Sequence, residues 1–116
     1  MKTSDLIGPT LDWAVAKCEG ETAHVQFSAL ASSKHYFAPS KKWSQGGPII
    51  ERECIATYAS GACSVSPKNP DYWIAEILDT EEMITQYGPT PLIAAMRCYC
   101  CAKLGDEVEI PSELQP

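Results

Sequence analysis

One stretch, Gly88-Pro-Thr-Pro-Leu-Ile-Ala-Ala-Met-Arg-Cys-Tyr-Cys-Cys-Ala-Lys-Leu-Gly105, limits what this chain can fold into. Thr90 is a natural N-cap, Pro91 falls at the first helical position where its missing N–H costs nothing, and Gly105 stands where a left-handed terminating residue belongs. Between those ends only Arg97 and Lys103 interrupt the apolar residues, so nearly every face of the helix is apolar and the helix is buried. Fourteen residues at 1.5 Å each reach about 21 Å, too short to span a bilayer but long enough to cross a small domain. The rest of the chain must pack around this helix.

A chain of 116 residues has room for a single domain over residues 1–116, large enough to bury its own core. Its net charge is −6, and no basic run exceeds Lys41-Lys42, which argues against duplex nucleic acid as a partner because that affinity comes from phosphate neutralisation. No apolar run of signal or membrane length follows the N-terminal Lys2-Thr-Ser-Asp, which predicts a cytoplasmic protein without a membrane partner. Three of the six cysteines (Cys98, Cys100, Cys101) lie on the buried helix, so in a reducing cytosol all six read as small core residues rather than a disulfide framework.

Residues 1–20 read as two helical pieces: a short turn capped by Ser4, a break at Gly8-Pro9, and a helix from Leu11 to a stop at Gly20. Leu11, Ala14, Val15 and Cys18 form the apolar face that docks on the central helix, and Trp13 lies off it. Residues 21–27 alternate as a strand, residues 28–34 read as a turn, and residues 35–48 read as a long irregular loop. Residues 54–58 and 72–78 suit a hairpin around a long loop containing Gly61, Pro67 and Pro70. Residues 79–86 resemble one helical turn capped by Asp79, residues 106–110 a last strand with Val108 and Ile110 inward, and residues 111–116 a loose tail. The fold class is α+β, two helices packed on a small, mostly antiparallel sheet.

The stretch from Tyr36 to Glu53 gathers the most chemistry. Tyr36 and Trp43 offer ring faces, Gln45 a polar handle, Gly46-Gly47 a close backbone approach, and Glu51 and Arg52 charge for a phosphate or carboxylate. With Trp13 they could wall a pocket; the plainer account is a tight glycine turn, a Trp plugging the core edge and a solvated strand face. The Cys98-Tyr-Cys-Cys101 run lacks the second ligand pair that a zinc site needs, so neither a metal nor another cofactor is expected. His24 and His35 single out no Cys–His dyad, and Asp12, Glu51, Glu53 and Asp71 show no paired spacing for acid–base work. Phosphate-loop and dinucleotide fingerprints are missing as well.

Three segments together resemble the NinX-like proteins of lambdoid and other tailed phages and of enterobacterial prophages. They are Leu11-Asp-Trp-Ala-Val-Ala-Lys-Cys-Glu-Gly20, Tyr36-x-x-Pro39-Ser40-x-x-Trp43-Ser-Gln-Gly-Gly-Pro-Ile-Ile-Glu-Arg-Glu53, and Tyr87-Gly-Pro-Thr-Pro-Leu-Ile-Ala-Ala-Met-Arg-Cys-Tyr99 with Lys103-Leu-Gly-Asp-Glu-Val-Glu-Ile-Pro111. The resemblance spans nearly the whole chain apart from the hairpin of residues 56–79. It implies a phage accessory protein acting in the host bacterial cytoplasm, and it carries over no catalytic residues.

Three functions compete. The first is a non-catalytic binding module, alone or as a homo-oligomer, that sequesters a planar or phosphorylated small molecule such as a nucleotide-derived host defence signal between Trp13, Tyr36, Trp43 and Gly46-Gly47, with Arg52 supplying charge. The second is a factor that binds a host or phage replication, recombination or defence protein through its acidic surface. The third is a small hydrolase using Glu51 or Glu53, which requires a carboxylate of raised pKa inside a cleft. The balance is against catalysis, because no catalytic spacing accompanies either acid.

Overall fold

The computed structural model describes residues 1–20, 37–61 and 70–114. Within them the chain forms helices α1 (Gly8–Glu19), α2 (Trp43–Glu53) and α3 (Pro91–Leu104), and strands β1 (Ala56–Ala59), β2 (Trp73–Asp79) and β3 (Glu82–Gly88). The expected strand over residues 21–27, the turn after it and Tyr36 lie outside the described residues.

Helix α3 starts and stops as its sequence dictates. Thr90 Oγ1 accepts from the backbone N–H of Ile93 at 3.1 Å, and Gly105 ends the helix at φ 89°, a conformation that costs other residues strain. Ala94, Ala95, Met96, Cys98 and Cys100 are wholly buried along it. One side of α3 covers the sheet and the other receives α1 through Leu11, Ala14 and Val15, making a single hydrophobic core. Gly8-Pro9 begins α1 instead of breaking it: proline is tolerated in the first turn, and the Thr10 hydroxyl donates to the Ile7 carbonyl at 2.7 Å. The short turn before it, Thr3–Asp5, is a 3-10 helix.

The sheet is wholly antiparallel in the order β1-β2-β3. β1 and β2 are the expected hairpin. Residues 79–86, expected as a helical turn, are instead the second hairpin, with Asp79 opposite Glu82 and Thr80 at φ 57° in the connection. Asp-Thr-Glu-Glu carries the local signature of a helix start, but pairing Ile77 with Ile84 under α3 buries more than one isolated turn could. Val108 and Ile110 do point inward, yet residues 106–110 make one bridge, Lys2 to Glu107, and no strand. The expected tail contains a 3-10 turn, Ser112–Leu114, whose Leu114 packs on the core.

The main correction concerns residues 43–53, read as loop and strand but folded as α2. Gly46, Gly47 and Pro48 are poor helix formers, and Pro48 lacks an N–H for the carbonyl four residues back. The helix forms because tertiary packing outweighs propensity: Ile49 is 2% exposed, and a Cβ at Gly46 would stand 2.5 Å from the Pro39 carbonyl oxygen and 2.6 Å from Leu92 Cδ2. Gly46 is therefore a contact point between α2 and α3, not a turn residue.

Candidate functional site

Two groups of side chains stand out. The first joins the C-terminal ends of all three helices around Arg52. Its Nη1 and Nη2 donate to Glu19 Oε1 and Oε2 at 3.1 and 2.6 Å, its Nε donates to Glu53 Oε2 at 2.9 Å, and Nη2 also reaches the Tyr99 hydroxyl at 3.2 Å. Tyr99 in turn donates to Glu19 Oε2 at 2.7 Å, while Lys103 Nζ lies 3.4 Å from Glu53 Oε1. Burial alone pulls the Glu19 carboxyl upward, but the hydrogen bonds from Arg52 and Tyr99 outweigh it and hold Glu19 below the usual carboxylate range. Glu53 is likewise held down, first by the Arg52 hydrogen bond and then by Lys103. The bonds to Glu19 and Glu53 push the guanidinium of Arg52 further towards its charged form.

This geometry changes the meaning of the charged pair. Arg52 has three donor nitrogens and all three meet carboxylates of its own chain, so the network is a clasp between helices. A carboxylate held ionised between two cations is the opposite of a general acid, and Glu51 stands in solvent on the α2 surface.

The other candidates are dispersed along α1 and α2. Trp13 is half-buried against the core with Lys17 Nζ 5.4 Å from its ring centroid, a cation–π contact. Trp43 opens α2 and is 56% exposed. Gln45 turns inward and its Oε1 accepts from the Ala38 backbone N–H at 2.5 Å, while Gly47 has open space beside it. Gly46 is closed off by Pro39 and Leu92. Asp12 is 2% exposed and accepts from the Ser40 N–H at 2.9 Å; burial pushes its carboxyl up, partly offset by that hydrogen bond and by Lys41. It ties the buried turn of residues 38–40 to α1.

The cysteines of α3 are buried, as expected, and Cys18 is half-buried, but Cys54 is exposed at the C-terminus of α2 with φ 55°. Among the described residues no group of three His, Cys, Asp or Glu could hold a metal, and no helix is long and apolar enough to cross a membrane.

The second group was not singled out from sequence. Ala75 and Ile77 of β2 face α3, so Ile74, Glu76 and Leu78 face the opposite way, opposite Tyr87, Thr85 and Met83 of β3. No helix covers this outer face among the described residues. Leu78 is 64% exposed, Met83 57% and Tyr87 52%, and Tyr72 meets Tyr87 edge to face with ring centroids 5.7 Å apart. These two tyrosines line a shallow cavity of about 300 Å³. A more polar cavity of about 370 Å³ lies where Lys2, Thr3 and Ser4 approach Gln86, Asp106 and Glu107. The alternation 74, 76, 78 was legible, but reading residues 79–86 as helix hid the partner strand.

The described residues form an α+β fold of three helices and a three-stranded antiparallel sheet, with the Arg52 clasp at the helix ends and an outer sheet face that no described helix covers. The family described as bacteriophage P22, NinX, matches residues 2–103, and the chain belongs to that family of phage proteins. No curated protein matches it.

Proposed function

We propose that this phage accessory protein is a non-catalytic binding module, acting in the host cytoplasm, whose ligand is another protein and whose contact surface is the outer face of the β-sheet. The observation that carries this reading is the exposure of Leu78 and Met83, directly opposite each other on a face that no described helix covers. Large apolar side chains in register on an open face lose water on docking and so supply binding energy.

Sequestration of a small phosphorylated molecule is the second reading. The exposed ring of Trp43 and the open backbone at Gly47 favour it, whereas Arg52 would have to exchange Glu19 and Glu53 for the ligand. The two readings separate in one experiment: the tagged protein is recovered from phage-infected cells, alongside Leu78→Ser/Met83→Ser and Trp43→Ala variants, and analysed by native mass spectrometry before and after denaturation. Protein partners lost only from the sheet-face variant support the first reading. A small molecule released from wild type but not from Trp43→Ala supports the second and sinks the first.

A further inference from the structure

We infer that the occupant of the outer sheet face is a basic amphipathic helix of a partner protein. This rests on the docking reading above and adds the chemistry of what docks. From Ile55 to Met96 the sequence carries Asp71, Glu76, Asp79, Glu81 and Glu82 against a single basic residue, Lys68, which lies outside the described residues. Glu76 sits in the middle of the apolar face, where it accepts from Thr85 Oγ1 at 3.4 Å, and Glu81 lies in the hairpin connection that follows Leu78 and precedes Met83, whereas Asp79 and Glu82 alternate to the α3 side. An apolar strip with one carboxylate at its middle and another at its end is complementary to a helix with leucine-like residues on one side and lysine or arginine beside them.

β2 and β3 have seven residues each, which at about 3.4 Å per residue gives a face roughly 24 Å long; with strands about 4.8 Å apart it is roughly 14 Å wide where β1 pairs with residues 73–76 and roughly 10 Å wide at Leu78 and Met83. A helix is about 10–12 Å across, and about 16 residues of it are 24 Å long, so one helix fills the face. A second copy of this chain fits less well. The footprint is well short of the roughly 800 Å² per partner of a stable dimer, and an isologous contact centred on the face would set the two copies of Glu76 against each other.

The test uses the intact protein and a labelled model peptide of about 16 residues, leucine and lysine at helical i, i+3, i+4 spacing, followed by fluorescence anisotropy. A peptide of the same composition in strict alternation and a leucine–glutamate helix are the comparators. The inference expects saturable one-to-one binding of the basic helix alone. Glu81→Lys should weaken it about tenfold, as should Leu78→Ser/Met83→Ser, whereas Glu107→Lys, the same change in net charge elsewhere, should leave it within about twofold. Equal losses from the two charge reversals, equal binding of the alternating peptide, or no binding overturns it. A dimer in sedimentation that Leu78→Ser/Met83→Ser dissolves overturns it in favour of a second copy. If the sheet-face variant loses its partners in infected cells while the basic helix does not bind, the docking reading survives and the basic-helix inference fails. If that variant keeps every partner, both fail. All these positions are exposed, and circular dichroism of each variant checks that the fold is intact.

Discussion

Arg52 and Glu19, 33 residues apart, meet fork to fork, with both terminal guanidinium nitrogens on both carboxylate oxygens at 3.1 and 2.6 Å. The pair fastens the end of α2 to the end of α1, and Tyr99 of α3 completes the clasp by donating to the same carboxylate. Because half of the Arg52 side chain is in water, the pair is worth less than its geometry alone implies.

Glu19→Gln keeps the shape and removes the charge, and should lower unfolding stability by about 1 kcal/mol at pH 7, read from urea midpoints. The pH dependence follows from the depressed carboxyl. The folded pKa lies below the ordinary value of 4.5, so the stabilisation is fully present above that value and is lost as pH falls through the folded one. Wild type should therefore lose more stability than Glu19→Gln on acidification from pH 5 to pH 2.

Asp12 gives the opposite sign. Burial raises its carboxyl above the ordinary 3.8, the Ser40 and Lys41 contacts only partly offsetting it, so its contribution is fully present below that value and is lost as pH rises through the raised one. Asp12→Asn retains an acceptor for the Ser40 N–H and does not titrate. Relative to wild type it should gain stability between pH 4 and pH 7. Asp12→Ala, which leaves that buried N–H without its partner, should cost about 1–3 kcal/mol throughout.

Adjacent glycines in α2 should respond in opposite directions. Gly46→Ala places a methyl 2.5 Å from the Pro39 carbonyl oxygen and should destabilise by about 1–3 kcal/mol despite alanine's better helix propensity. Gly47→Ala meets open space and should stabilise by up to about 1 kcal/mol. Equal effects in thermal or urea unfolding would mean that α2 does not pack on Pro39 and Leu92 as described.

This pair also shows where sequence reading succeeds and fails. The central helix was legible because cap, proline, apolar run and terminating glycine all agree. At α2 local and global preferences conflict: Gly46-Gly47-Pro48 reads as a turn on its own, and only the approach of Pro39 and of Leu92, 46 positions further along the chain, explains why Gly46 must lack a side chain. The sequence reading gives Arg52 a ligand's charge to meet, whereas in the fold it meets Glu19, which lies at the end of another helix with no spacing rule to connect them. Leu78 and Met83 were hidden because Asp79-Thr-Glu-Glu82 carries a helix-start pattern and the opposing strand is visible only once paired.

The thiols provide the last prediction. Cysteine alkylation requires the thiolate and access to it. Burial pushes the Cys98 thiol up to about 12, and Cys100 is raised well above its ordinary value, first by its hydrogen bond with Cys18 and then by burial. Cys54, by contrast, is exposed at the end of α2. Iodoacetamide at pH 8, followed by peptide mapping, should modify Cys54 within minutes and leave Cys98, Cys100 and Cys101 unmodified until urea unfolds the chain. The helix that carries them is packed by the sheet on one side and α1 on the other, so access requires opening the core rather than a local fluctuation. Modification of the α3 thiols in native buffer at the Cys54 rate would show that the core opens readily and that α3 is not held between the sheet and α1 as described.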